Sequence, residues 1–134
     1  IGDRGIKNPE AAKEYIKNIT LPQLERLGYS NFTVIRSVDQ VKIGTCGLYD
    51  RNTMEGIDLG YAFLPKYEKQ GYAFEACNTL VNVAYEEFGL ETLNAITLSD
   101  NTTSIQLLDK LGFSYQKIVR FEENDVELYI KELV

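Results

Sequence analysis

Histidine is absent from all 134 residues. Its absence removes the commonest metal-ligating side chain, the Ser-His-Asp triad and the Cys-His pair together. Any chemistry must therefore run on carboxylates, hydroxyls, lysines or backbone groups, and no metal is expected. Cysteine is scarce, with only Cys46 and Cys77, both in apolar surroundings. They read as small core residues in a reducing compartment, with a disulfide open but not favoured. No apolar run approaches the ~20 residues that span a bilayer, and no charged-then-apolar leader opens the chain. No Gly-Lys-Ser/Thr occurs, so the sequence has no P-loop. Positive charge is short as well: 14 Lys and Arg against 20 Asp and Glu leave a net charge of −6. The basic residues are scattered, whereas nucleic-acid binding needs them concentrated against phosphates. The expectation is a cytoplasmic protein with no membrane and no nucleic-acid partner, whose acidic surface would steer a cationic substrate.

What is present is ordinary for a globular protein, 44% apolar and 25% charged. The length suits a single domain over residues 1–134. No repeat, low-complexity tract or linker divides it. The chain opens at Ile1 and not at a methionine, as a trimmed chain or a piece of a longer protein would.

Periodicity sets out the elements. Asn8 and Pro9 mark a helix start, with Ala12, Tyr15, Ile16 and Ile19 at helical spacing. Pro22 interrupts the pattern, and Leu21, Leu24 and Leu27 line a second short helix ending at Gly28. Strands are expected over 32–36, 42–49 and 56–64, forming an antiparallel meander with a turn around Asp50. Ala73, Ala76, Cys77, Leu80, Val81, Ala84 and Phe88 then trace a wide apolar stripe on a helix of about five turns. A buried strand from Leu93 follows. Asn101 caps a further helix that Gly112 closes, and two last strands form a hairpin across Glu122. A strand, a helix and a strand in succession make one parallel joint inside a mostly antiparallel sheet. The fold class is α+β, with helices on both faces of the sheet.

Ligands in such sheets gather beyond the carboxyl ends of the strands, here at Phe63-Leu64-Pro65. The next residues, Lys69-Gln70-Gly71-Tyr72-Ala73, open the long helix. Unpaired helix N-terminal amides accept anions, and Gly71 with Ala73 keeps that turn narrow enough for backbone to reach phosphate oxygens. A strand-to-helix turn also needs small residues for its own sake, so spacing alone leaves both readings open.

Three blocks, Gly60-Tyr-Ala-Phe-Leu-Pro65, Gln70-Gly-Tyr-Ala-Phe-Glu-Ala76 and Asn101 through Gly112-Phe113, resemble the GNAT superfamily of N-acetyltransferases in order and separation. The similarity is closest to the branch of ribosomal-protein alanine acetyltransferases and runs from Phe32 to the C-terminus. It implies acetyl-coenzyme A as cosubstrate and an amine acceptor, either a small molecule or a protein N-terminus. In that reading the main chain of Lys69, Gln70, Gly71, Tyr72 and Ala73 cradles the coenzyme's pyrophosphate. Phe63 and Leu64 pair with the pantetheine arm as an added strand would, and a main-chain N–H there polarises the thioester carbonyl. Asn101 approaches the arm, Ser104 lies near the sulfur as a donor to the departing thiolate, and Lys110 reaches a phosphate. Asn101 is also a helix cap, and Ser104 can equally be a first-turn serine with no catalytic task.

The amine must lose a proton before it attacks, which calls for a carboxylate. Asp58 stands where the family often has a glutamate and is the first choice as base. Strand alternation puts it on the sheet face opposite Ile57 and Leu59. A solvated surface carboxylate is the alternative reading; Glu55 is a second candidate base and Tyr115 an alternative proton donor. Two departures stand out. Glu68 occupies a loop position where the family commonly has Arg or Gln. The family also opens with a strand and helix ahead of the segment beginning here, so either these are missing or another element replaces them. The rival functional reading is a noncatalytic acyl-coenzyme A binding or sensing module, and the blandest is a structural domain with no nucleotide. The sequence leaves a homodimer open and does not identify the acceptor.

Overall fold

The computed structural model describes residues 6–134. Helix α1, Pro9–Tyr15, starts as its sequence demands: Asn8 Oδ1 accepts the Ala11 N–H at 2.8 Å and Pro9 fills the first turn. Pro22 does not separate two helices. The chain passes through a π-helical turn, Ile16–Thr20, directly into α2, Leu21–Leu27, which ends at left-handed Gly28. The N–H of Leu21 reaches back five residues to the Ile16 carbonyl. That wider turn accommodates a proline that offers no N–H and would crowd the carbonyl four residues earlier.

Of the three leucines expected to line α2, only Leu27 packs against the core, half-buried. Ile16, Ile19, Leu21 and Leu24 are exposed, and the buried residue is Gln23. Its side-chain amide donates to the carbonyls of Tyr29 at 3.0 Å and Leu48 at 2.8 Å, while its oxygen accepts the Asp50 N–H at 3.0 Å. One amide therefore ties the helical arm to the sheet by satisfying three backbone groups.

The sheet has six strands: β1, Asn31–Arg36; β2, Val41–Asp50; β3, Ile57–Phe63; β4, Thr92–Thr97; β5, Ser114–Phe121; and β6, Asn124–Glu132. Their spatial order is β1-β2-β3-β4-β6-β5, antiparallel throughout except between β3 and β4. The parallel joint is made by α3, Tyr72–Glu86, after a short 3₁₀ turn at Pro65–Tyr67. The last helix, α4, is Thr102–Leu111, capped by Asn101 and closed by left-handed Gly112. This is the mixed, mostly antiparallel α+β sheet with one parallel joint that the sequence implies.

Helices α3 and α4 lie side by side on one sheet face. Cys77, Leu80, Val81 and Ala84 of α3 and Leu108 and Leu111 of α4 pack with Leu48, Leu59, Leu93, Ala95 and Tyr129. Cys46 and Cys77 are free thiols within this core, their sulfurs 3.5 Å apart. The contact with Cys46 and then burial push the Cys77 thiol upward, so it behaves as an inert core residue. Among the described residues no helix is long and apolar enough to cross a membrane.

Replacing Gln23 with leucine keeps the volume but leaves buried backbone groups unpaired. Urea unfolding should show a loss of about 2 kcal/mol; a change under about 0.5 kcal/mol would mean that the arm is held in another way.

Candidate active site

Strand β3 pairs with β2 along the whole of β3, from Gly44 opposite Phe63 to Asp50 opposite Ile57. On its other side β3 has a single registered partner, Asp58 opposite Asn94. Beyond that pair β3 and β4 part. The second edge of Tyr61, Ala62 and Phe63 therefore lacks a strand, and these residues line a cleft of about 500 Å³. Gly71, Ala73 and Phe74 at the start of α3 and Asn101, Ser104 and Lys110 of the α4 segment complete its walls. The volume lies within the range of small-molecule sites.

Helix α3 starts without the side-chain cap that α1 and α4 carry. Asn8 caps α1 and Asn101 caps α4, accepting the Ser104 N–H at 3.1 Å, but Gly71 gives α3 no side-chain cap. The first-turn amides of α3 are left for an anion, and the helix dipole favours negative charge there. The approach turns through left-handed backbone at Lys69 (φ 60) and Gly71 (φ 86). A Cβ on Gly71 would meet nothing within 4 Å, so the glycine serves the backbone angle and the space before the amides is open. Lys69 lines the cleft, and Lys110 places its ammonium 4.2 Å from the Phe74 ring centre on the same wall. Both supply positive charge, against Glu68, which also lines the cleft.

Ser104, in the first turn of α4, accepts a hydrogen bond from the Tyr61 hydroxyl at 3.0 Å. Burial pushes the Tyr61 phenol upward, partly offset by that bond, so it stays protonated.

Not every residue singled out from the sequence reaches this cleft with its side chain. Gln70 turns back, its Nε2 donating to the Lys66 carbonyl at 3.0 Å. Leu64 is about half exposed, and its N–H is spent on the Ile43 carbonyl at 3.0 Å. Tyr72 faces a second groove of about 580 Å³ between β1 and α3, beside Arg36, Thr79 and Leu80. That groove is larger, but the uncapped α3 amides, the open β3 edge and the two lysines converge on the other one. Phe63, Lys69, Gly71, Ala73, Asn101, Ser104 and Lys110 are the expected residues that the structure brings together.

Asp58 lies elsewhere. It is 1% exposed and sits where β3 and β4 part. Alternation turns it to the face opposite Leu59 and Tyr61, which pack with the helices. It is no solvated carboxylate: its Oδ2 accepts from Arg51 Nε at 2.7 Å. The Arg51 guanidinium also lies 5.0 Å from the Tyr49 ring and 5.2 Å from the Phe121 ring. Gly60 makes room for Tyr49, whose Cε2 would lie 2.6 Å from a Cβ there. Asp58 and Ser104 thus belong to opposite faces of β3. Glu55 lies in the turn before β3, its carbonyl accepting from Asn94 Nδ2 at 2.7 Å. Tyr115 is exposed on β5, edge-on to Tyr129 with ring centres 5.8 Å apart. Among the described residues no cluster of three or more His, Cys, Asp or Glu could hold a metal.

An uncapped helix start thus stands beside an unpaired strand end. The family model described as "Acetyltransferase (GNAT) domain" matches residues 3–114. The chain belongs to the GNAT acetyltransferase family. It is 28% identical over 120 residues to the uncharacterised N-acetyltransferase YoaA of Bacillus subtilis, covering 87% of this chain and 67% of that protein. It is 28% identical over 110 residues to the uncharacterised N-acetyltransferase p20 of Bacillus licheniformis, covering 81% of this chain but only 61% of that protein. The ribosomal-protein-S5-alanine acetyltransferase of Vibrio fischeri superposes with a TM-score of 0.77 at 20% identity, over 98% of this chain and 76% of that one. A spermidine N-acetyltransferase variant from Vibrio cholerae gives 0.74 at 16% identity, over 92% and 74%. At such identities the structural likenesses establish the fold.

Within this GNAT domain, Tyr61, Tyr67, Phe74 and Leu107 are cleft residues that the motifs did not single out. Tyr61 was within reach: two residues before Phe63 on one strand, it shares that residue's face.

The Arg51–Asp58 pair is buried enough for its loss to register on stability. Asp58→Ala or Arg51→Ala should each lower stability by about 3 kcal/mol. The double variant should lose clearly less than the sum in denaturant titrations; additive losses would show that the ion pair is not coupled.

Proposed function

We propose that this chain is an acyl-coenzyme A-dependent N-acetyltransferase that moves an acetyl group from acetyl-coenzyme A directly to a primary amine. The observation that supports it is the joining of uncapped α3 amides and an unpaired β3 edge in one cleft. The residues present fit the coenzyme: amides at Gly71–Phe74 with Lys69 and Lys110 suit a diphosphate, and backbone at Tyr61–Phe63 suits the amides of an extended arm. When bound, the coenzyme supplies an activated acetyl group on sulfur.

The roles of the chain's own groups follow from their positions. A backbone N–H at the β3 end offers a hydrogen bond to the carbonyl oxygen as negative charge develops there. Ser104 donates its hydroxyl proton in a hydrogen bond to the departing sulfur. Asp58, facing the other side of the sheet where β3 and β4 part, is the carboxylate assigned to the amine; proton pick-up at Oδ2 must share or displace the Arg51 hydrogen bond. An ammonium acceptor gives its first proton to Asp58, which passes it to water; the neutral nitrogen then gains a bond to the acetyl carbon, the carbon–sulfur bond breaks with its electrons on sulfur, and the nitrogen's surplus proton ends on sulfur. The relatives' names extend the acceptor range from a ribosomal protein to spermidine. The acceptor class proposed is accordingly a primary amine, either a protein N-terminus or a small molecule, and the soluble setting proposed is the cytoplasm.

One observation favours a second reading. An Asp58 locked to Arg51 and turned from Ser104 suits a noncatalytic acyl-coenzyme A binding module. Turnover separates the two: thiol release from acetyl-coenzyme A with any of a panel of primary amines supports the enzyme, and binding without release supports the module.

Gly71→Glu places bulk and negative charge before the α3 amides and forces a side chain into left-handed backbone. Coenzyme A should raise the melting temperature of the wild type by several degrees and that of the variant by less than one degree. Equal shifts would move the phosphate site away from Gly71.

A further inference from the structure

We infer that Tyr61 is a positioning residue for Ser104, fixing the serine hydroxyl as a donor aimed into the cleft. The inference rests on the acetyl-coenzyme A reading and adds to it a residue that none of the motifs assigned. Tyr61 comes from β3 and Ser104 from α4, and their oxygens meet 3.0 Å apart at the cleft wall. In a pair of hydroxyls one donates and the other accepts. The phenol is the stronger donor and, with its lone pair drawn into the ring, the weaker acceptor. Burial of the Tyr61 ring also disfavours its ionised form, so the phenol keeps the proton that it donates.

Ser104 therefore accepts, and its own proton must point elsewhere. A first-turn serine commonly turns back onto a nearby backbone group. Here that alternative is not taken. The Ser104 N–H goes to Asn101 Oδ1 at 3.1 Å, the Asn101 carbonyl accepts from the Ile105 N–H at 3.1 Å, and the Ser104 oxygen is occupied by Tyr61. The backbone and the acceptor side of Ser104 are thus both fixed before any ligand arrives. The remaining proton is free to turn into the cleft that Ser104 lines beside the open edge of β3. A ligand sulfur lying there gains a hydrogen bond whose direction is set in advance, which is where such a bond acts most strongly. Tyr61 does not transfer a proton in this scheme; a tyrosinate in that half-buried position is disfavoured.

The test compares wild type, Tyr61→Phe, Ser104→Ala, Ser104→Thr and the double variant Tyr61→Phe/Ser104→Ala. Calorimetry at pH 9, where an appreciable fraction of a free thiol is ionised, measures affinity for coenzyme A and for its desulfo analogue. Wild type should prefer coenzyme A by about tenfold, as a hydrogen bond to an ionised sulfur allows. Tyr61→Phe and Ser104→Ala should each lower that preference about fivefold, the double variant no further, and desulfo affinity should stay within twofold throughout. Ser104→Thr, which keeps the hydroxyl, should retain most of the preference. Phenylalanine fills the tyrosine's space, and Ser104→Ala with Ser104→Thr keeps the test decisive if Tyr61→Phe folds poorly. An undiminished preference in Tyr61→Phe, additive losses in the double variant, or a parallel fall in desulfo affinity would overturn the inference, the last by reducing the bond to a structural tie. Wild type that binds neither ligand would remove the acetyl-coenzyme A reading itself, and this inference with it.

Discussion

A strand that loses its neighbour part-way along must find other partners for its backbone, because unpaired amides and carbonyls are costly once water is excluded. Strand β3 is in that position. Its β2 edge is fully paired, its β4 edge has one partner pair at Asp58 and Asn94, and Tyr61 to Phe63 continue past it. The rest of the site is arranged around this opening. Helix α3 must cross from the end of β3 to the start of β4, which brings its first turn to the mouth of the gap. Helix α4 follows β4 and supplies the opposite wall. The cleft is thus a consequence of one parallel joint in an otherwise antiparallel sheet, in line with the general placement of ligands at strand carboxyl ends.

The two faces of the sheet divide the chemistry. On the helical face, Cys46, Cys77, Leu59 and Leu93 form a dry floor, and Tyr61 and Ser104 stand at its edge. On the other face, Tyr49, Arg51, Asp58 and Phe121 form a stacked and ion-paired cluster, with Gly60 leaving room for the Tyr49 ring. Both clusters border the stretch of β3 where β4 departs. On the proposed acetyl-transfer reading, a donor held on one side meets an acceptor arriving from the other at this stretch of β3.

Most of this was legible in the sequence because local rules governed it. The apolar stripe from Ala76 to Ala84 fixed α3, Asn101 and Gly112 bracketed α4, and the glycine-containing strands paired as a meander. What was not legible depended on long-range contacts. Pro22 signals a break by any local rule, yet a π turn absorbs it because Gln23 gains three backbone partners, 25 residues away in the case of Leu48 and 27 in the case of Asp50. Asp58 looked like a strand carboxylate free to act; only the tertiary fold brings Arg51 onto it. Gln70 and Tyr72 belong to the right loop, but the Lys66 carbonyl holds the Gln70 side chain back and Tyr72 faces the other groove, leaving the cleft to backbone, Lys69, Gly71 and Ala73.

On the proposed reading, the α3 amides and the unpaired edge of β3 receive one ligand together. Backbone amide chemical-shift mapping of the ¹⁵N-labelled protein titrated with coenzyme A tests this most directly. The largest saturable shifts should fall on Gly71 to Phe74 and Tyr61 to Phe63 as one continuous patch. Shifts confined to the groove between β1 and α3, around Phe32 to Val38, with the Gly71 and Tyr61 segments silent, would contradict it.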